Sequence, residues 1–114
     1  MIGFSPTAEL QANQAATAGV ETEEKFRRLV RQWRKETRHQ SSITTICTNP
    51  AYQKIIGMGK AALPFILSDL QRTQDHWLWA LDAIVDEDPA AGSEDSNEAI
   101  AAWLKWGKRH GYLL

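Results

Sequence analysis

GMGKAALPFILSDLQRTQDHWLWALDAIV, residues 57–85, carries the strongest helical pattern in the chain. Apolar residues recur there at helical spacing in two runs, one on each side of Asp75. The residues that share a face are Leu63, Ile66, Leu67 and Leu70 in the first run, and Trp77, Leu78, Leu81, Ile84 and Val85 in the second. The pattern predicts two consecutive amphipathic helices, at about 60–72 and about 76–86, with Asp75 as the N-cap of the second.

The beginning of this stretch, residues 57–64, has the glycines and the lysine of a phosphate-binding loop without their spacing. A Walker loop needs a glycine five positions before the second glycine, and a serine or threonine after the lysine. Here Lys54 lies five positions before Gly59, and Ala61 follows the lysine. We therefore interpret the stretch as a bend between helices, in which Gly57 ends one helix in the left-handed conformation and Gly59 allows the chain to reverse.

Three further helices are predicted, two before this pair and one after it, so the fold class is all-α, a compact five-helix domain. They span about residues 22–39, 50–57 and 96–109. The second begins at Asn49-Pro50, since asparagine caps helices and proline suits the first helical position. The third begins with Asp95 followed three residues later by Glu98, the spacing of a capping box, and it ends at Gly111.

Two segments lack a clear helical period. Residues 1–21 are predicted to be a flexible N-terminal arm, because they contain one isolated leucine among Ala, Gln, Thr and Asn. Residues 40–48 are rich in β-branched side chains and are predicted to form a loop or a short irregular helix. The single helical domain then covers 22–114, a length sufficient for one modest core.

Composition excludes several classes of protein. The 114 residues carry a formal net charge of −1, which disfavours a general attraction to nucleic acid. The single cysteine, Cys47, excludes an internal disulfide and a cysteine-rich metal site. No window approaches the roughly 18 apolar residues of a membrane span, and the N-terminus lacks the pattern of a signal peptide. The chain is therefore predicted to be cytoplasmic.

Charge is unevenly distributed along the chain. Seven basic residues and one acid lie between residues 25 and 38, whereas seven acids and no base lie between residues 82 and 98. Four arginines form a stripe beside the apolar face of the first predicted helix: Arg27, Arg31, Arg34 and Arg38. Three interpretations stay open: a solvated face, pairing with the acidic segment within or between chains, and binding to an acidic protein or to phosphates.

Five tryptophans divide into two groups. Trp33, Trp77 and Trp103 lie on the apolar faces of their predicted helices and are predicted to be core residues. Trp79 and Trp106 lie off those faces. They are predicted either to fill a second helical layer or to form an aromatic patch for a partner.

Residues suited to catalysis or metal binding do not form a recognisable set. The three histidines, His39, His76 and His110, are dispersed, so neither a metal site nor a cofactor is predicted. A small hydrolase built on His39, Ser42 and Cys47 is the weakest hypothesis, since no nucleophile elbow surrounds them. Cys47 is predicted to be a buried apolar side chain.

The segment AYQKIIGMGKAALPFILSDLQRTQDHWLWALDAIVDEDP, residues 51–89, resembles a HEAT-type repeat: "MGKAALPFILSDL" matches its first helix and "DHWLWALDAI" its second. A wider stretch, about 33–112, is similar to a group of small uncharacterised bacterial proteins with the pattern PAYQKIIGMG…LP…DHW…WG…GY. These resemblances imply a bacterial protein with one HEAT-like hairpin.

Such a hairpin implies a surface for binding another macromolecule. The first functional hypothesis is a non-enzymatic protein-protein interaction module, by analogy an antitoxin or a defence-system accessory subunit, with a homo-oligomer left open. The predicted contact residues are Arg27, Arg31, Arg34, Arg38, Trp79 and Trp106. The alternative is a nucleic-acid-binding accessory protein that uses the arginine stripe.

Overall fold

A computed structural model describes residues 6–114, with side chains from residue 19 onward. The α-helices are α1 (Pro6–Thr37), α2 (Ile43–Cys47), α3 (Pro50–Gly57), α4 (Leu63–Thr73), α5 (Leu78–Ile84) and α6 (Ser96–Arg109), with a 3₁₀ turn at Gly59–Ala62. The predicted all-α class is confirmed. Six helices, not five, lie in the described range, because part of the segment predicted as a loop or irregular helix forms α2.

Helix α1 begins at Pro6, well before the start predicted near residue 22, and ends at Thr37. Most of the predicted arm therefore lies within α1, and residues 1–5 lie outside the described range. The early start has a physical reason. Residues 7–18 are rich in alanine and glutamine, which favour helix without any apolar stripe.

Helices α2 and α3 are started by side-chain caps. The Ser42 hydroxyl accepts a hydrogen bond from the backbone N–H of Thr45, and this bond closes the single turn of α2. The indole Nε1 of Trp33 donates to the carbonyl oxygen of Ile46 at 2.9 Å and so joins α2 to α1. Helix α3 begins at Pro50 with Asn49 as N-cap, which confirms the predicted start.

The glycine-rich bend differs from prediction in one respect. The left-handed residue is Gly59, with φ of 67°, whereas Gly57 is the last residue of α3 and does not have a positive φ. The expectation that Gly57 would adopt the left-handed conformation is therefore wrong. The reversal comes two residues later because Met58 still has a right-handed helical conformation.

Replacing Gly59 by alanine is expected to lower the free energy of unfolding by about 1–2 kcal/mol, the cost of a left-handed conformation for a residue with a Cβ atom. A Cβ atom at Gly59 would meet no atom within 4 Å, so the cost is backbone strain and not a clash. Gly57→Ala is the matched control, expected to leave stability unchanged or raise it by up to about 1 kcal/mol. Urea unfolding followed by circular dichroism measures both, and equal effects would contradict the assignment.

Helix α5 is not capped by Asp75, contrary to the prediction. It begins at Leu78, and the N-cap residue Trp77 makes no side-chain capping bond. The missing acceptor comes from α3, because the Tyr52 hydroxyl accepts from the backbone N–H of Ala80 at 2.9 Å and donates to the carbonyl of His76 at 2.8 Å. Tyr52 is fully buried, so this hydroxyl fixes the start of α5 against α3.

Helix α6 has the predicted boundaries. The Asp95 carboxylate accepts from the backbone N–H of Glu98 at 2.9 Å, and the Glu98 carboxylate accepts from the backbone N–H of Glu94 at 2.8 Å. In a capping box the second bond comes from the N-cap residue itself, so here the donor lies one residue earlier. At the other end Gly111 has φ of 79°, and the N–H of Tyr112 donates to the carbonyl of Gly107 at 2.8 Å. This is the Schellman arrangement for ending a helix.

The core lies where α1, α3, α4, α5 and α6 meet. Trp33, Trp77 and Trp103 are each at most 1% exposed, which confirms their prediction as core residues. Helix α1 packs most extensively on α3, α4 on α6, and α5 on α3. Helices α4 and α5, which form the predicted HEAT-like hairpin, thus each pack mainly on a helix outside that pair. Their pairing as a HEAT-like hairpin stays a prediction. No helix in the described range has the length and apolar character needed to cross a membrane.

Candidate functional site

The most connected polar side chain is Asp69 on α4, a carboxylate only 4% exposed. It accepts hydrogen bonds from four side chains. They are the guanidinium groups of Arg34 at 2.5 Å and Arg72 at 2.6 Å, the indole of Trp77 at 2.7 Å, and the hydroxyl of Thr73 at 3.0 Å. Arg34 also donates through Nε to Asp75 at 3.0 Å. The network therefore ties α1 to α4 and to the segment that leads into α5.

Ionisation of this network follows from its geometry. Burial disfavours the charged form of Asp69, but hydrogen bonds from Trp77 and Arg34 outweigh it, so the pKa of the Asp69 carboxyl is lowered. Burial likewise acts to lower the pKa of Arg34, and its bonds to Asp69 and Asp75 raise it above the usual value. Both groups stay charged at neutral pH and hold each other in place.

The predicted arginine stripe divides into paired and unpaired members. Arg27 is bound to Glu23, one turn earlier on α1, at 2.7 Å, and Arg34 is held by the Asp69 network. Arg31 and Arg38 are exposed and form no ion pair within the described range. No stripe arginine pairs with a carboxylate of residues 82–98 there, so any pairing with that segment has to be between chains.

Three stripe arginines meet α4 in a groove of about 660 Å³, here called the arginine groove. Its charged lining is Arg27, Arg31, Arg34, Arg72, Glu23 and Asp69, and its other lining residues are Phe26, Val30, Pro64, Phe65 and Ser68. Four arginines against two carboxylates leave a formal excess of two positive charges. The groove thus combines a cationic rim with an apolar floor.

A second groove of about 660 Å³ is lined by α2, α5 and α6, and is here called the Trp79 groove. Its apolar lining is Ile43, Cys47, Leu78, Trp79, Ala83 and Ile100, and its polar lining is Gln74, Asp75, His76, Asp82 and Ser96. Ile43 is 51% exposed and Trp79 is 40% exposed, both large apolar side chains in contact with solvent. Burial, together with the nearby Asp88, raises the pKa of the Asp82 carboxyl at the same groove.

Trp106 lies apart from this groove and is only 9% exposed. Its ring stacks on Tyr112 at 5.5 Å and meets Trp103 and His110 edge-on. Its indole nitrogen donates to Glu87 at 3.3 Å. The structure therefore places Trp106 in a C-terminal aromatic cluster and does not bring it together with Trp79.

The hypothetical hydrolase residues do not have the properties of a nucleophilic site. Cys47 is 1% exposed, and burial raises the pKa of its thiol, whereas a nucleophilic cysteine needs a lowered pKa. Neither His39 nor Ser42 hydrogen-bonds to Cys47 within the described range, and Ser42 serves as a helix cap. No group of three metal-ligating side chains occurs among the described residues.

Two residues of these grooves were not singled out from the sequence. Asp69 lies in the apolar run of α4, and only its neighbours Thr73 and Arg72 hint at a polar cluster. Ile43 lay in a segment without a clear period, so its exposure could not be predicted. The β-branched residues around it predict a loop or a short irregular helix and do not indicate which side chains are exposed.

No model of a known protein family, no curated protein and no solved structure matches this chain. The HEAT-like repeat and the bacterial sequence pattern stay predictions made from the residues quoted above. The function has to be inferred from the two grooves.

Proposed function

We propose that this chain is a non-enzymatic protein-binding domain that receives its partner in the Trp79 groove. The observation that carries the proposal is that Ile43 and Trp79, on two different helices, expose large apolar surfaces to one groove. Tryptophan is enriched among residues that dominate binding energy, and apolar side chains left in water at one place are typical of an interaction surface.

The lining of the groove defines the chemistry of the partner. A volume of about 660 Å³ accommodates several side chains of a helix or an extended segment. Apolar side chains of the partner would cover Trp79, Ile43 and Leu78. Asp82, which forms no ion pair in the described range, would attract a lysine or arginine at the edge of the contact. The partner is therefore a protein segment with an apolar centre and at least one basic flank.

The test is capture of the partner from the native host, with nuclease present, by the wild-type chain and by Trp79→Ala. Loss of a tryptophan hot spot costs about 2 kcal/mol or more, which is a roughly thirtyfold weaker complex. Val20→Ala is the control, because Val20 is 56% exposed and lines neither groove. A complex that survives Trp79→Ala unchanged, or that Val20→Ala weakens equally, contradicts the proposal.

Nucleic-acid binding is a second candidate, supported by the exposed Arg31 and Arg38 without ion pairs in the described range. It is weaker because Arg27 and Arg34 are already bound to carboxylates. Capture that depends on intact nucleic acid, falls steeply with salt and is lost in Arg31→Glu would favour it over the protein partner.

A further inference from the structure

The two oppositely charged parts of the chain do not satisfy each other within one molecule. Within the described range, two of the basic residues at 25–38 form ion pairs, Arg27 with Glu23, and Arg34 with Asp69 and Asp75. Among the carboxylates of residues 82–98, here called the acidic segment, the one ion pair in the described range is between Glu87 and His110, at 3.9 Å. Each molecule therefore presents an arginine groove with a formal excess of two positive charges, and an acidic segment most of whose carboxylates form no ion pair in the described range.

The acidic segment is held in a defined shape. Hydrogen bonds from Ala90 to Asp88, from Glu94 to Glu98 and from Glu98 to Asp95 fix its backbone ahead of α6. The carboxylates of Asp86 and Glu94 take no part in these bonds and are exposed. A preformed segment loses little conformational freedom when it docks, which favours association.

We infer that the arginine groove binds the acidic segment of a second copy of this chain. Arg31 has no ion pair of its own, and the forked guanidinium groups of Arg27 and Arg72 match carboxylates in geometry. The apolar floor of the groove, formed by Phe26, Val30 and Phe65, offers contact to the alanines and proline that separate the acids. The arginine groove shares no lining residue with the Trp79 groove, and the acidic segment shares only Asp82, Ala83 and Ser96 with it.

A second copy is a better match to the groove than nucleic acid. A polyanionic strand would need several free guanidinium groups, whereas Arg27, Arg34 and Arg72 of the groove are bound to carboxylates of their own molecule. The acidic segment needs only local pairing, since most of its carboxylates lie in two short runs, 86–88 and 94–95, separated by small residues and a proline. Because one copy's groove meets another copy's segment, the contact joins two unlike surfaces and can repeat from molecule to molecule.

Sedimentation equilibrium of the full chain tests this at about 0.01 M and about 1 M salt, where the screening lengths are about 30 Å and about 3 Å. At low salt the weight-average mass is expected to exceed the monomer's 12.8 kDa and to rise with concentration. At high salt it is expected to return to the monomer value. A monomer at every concentration and both salt levels overturns the proposal.

Charge reversal identifies the two surfaces. Arg27→Glu with Arg31→Glu changes the groove, and Asp86→Lys with Glu94→Lys changes the segment without touching the hydrogen bonds that shape it. Each double variant alone is expected to be monomeric at low salt. Their combination in one chain places opposite charges at the exchanged positions again and is expected to associate more strongly than either double variant, which also shows that both variants fold.

The matched control is Arg28→Glu with Lys35→Glu, which makes the same charge change on the exposed side of α1 away from the groove. This variant and Trp79→Ala are expected to associate as the wild type does. Loss of association in the control attributes the effect to overall charge, and loss in Trp79→Ala attributes it to the other groove. Either result, or a monomer that binds an oligonucleotide through Arg31, overturns the proposal.

Discussion

Asp69→Ala is expected to lower the free energy of unfolding by about 3 kcal/mol, a large share of the roughly 5–15 kcal/mol that stabilises a domain. The carboxylate is 4% exposed and accepts from four side chains, so its removal leaves the buried indole N–H of Trp77 without a partner. Removing one member of a buried ion pair costs about 3–5 kcal/mol. The lower end applies because Arg34 is 36% exposed and water can hydrate it.

The matched control is Arg72→Ala, which removes one donor to the same carboxylate. Arg72 is 68% exposed, so its ion pair is expected to contribute less than about 1 kcal/mol. Urea unfolding at pH 7 measures both variants. If Asp69→Ala cost no more than Arg72→Ala, the network would not be the element that holds α1 against α4.

The pH dependence of stability gives an independent check on Asp69. Its pKa is lowered in the folded state, so the folded protein binds this proton less readily than the unfolded chain does. The stabilisation is therefore complete above the ordinary aspartate pKa of about 4 and is lost as the pH falls through the folded pKa. Asp69→Asn is expected to be less stable than the wild type at pH 7, with the difference shrinking below about pH 4.

Local signals in the sequence were sufficient for some helix boundaries and for the core tryptophans. Helices α3 and α6 begin where Asn49 and Asp95 cap them, because a capping bond joins residues two or three positions apart. The burial of Trp33 and Trp103 followed from the helical period alone. These features depend on residues that are close together in the sequence, so they can be predicted from the sequence alone.

The remaining features depend on residues that are distant in sequence. The acceptor at the start of α5 is the hydroxyl of Tyr52, 28 residues before Ala80. The arginine that reaches Asp69 lies 35 residues before it. Trp106 is buried because the chain turns back at Gly111 and places Tyr112 over its ring. The helical period of a sequence does not indicate such contacts. The Asp69 network and the lining of both grooves could therefore be identified only in the structure.

Trp77→Ala is expected to cost about 4 kcal/mol, within the roughly 3–5 kcal/mol measured for removing a buried tryptophan. Trp77 is fully buried, and the centroid of its ring lies 4.9 Å from that of Trp33 and 5.7 Å from those of Phe26 and Tyr52. Truncation therefore opens a cavity between α1, α3 and the start of α5. Trp79→Ala, two residues later and at a side chain 40% exposed, is the control and is expected to cost less than half as much.

Trp77→Phe separates the packing contribution from the hydrogen bond, since it keeps an aromatic ring in the core and removes the indole N–H bound to Asp69. We expect it to cost about 1–3 kcal/mol, mostly from the lost charge-assisted bond and a smaller cavity. In a cycle of Trp77→Phe with Asp69→Ala, the double variant should cost less than the sum of the single variants by at least about 0.5 kcal/mol. Strict additivity would mean that the indole and the carboxylate do not stabilise each other, and that the tryptophan acts through packing alone.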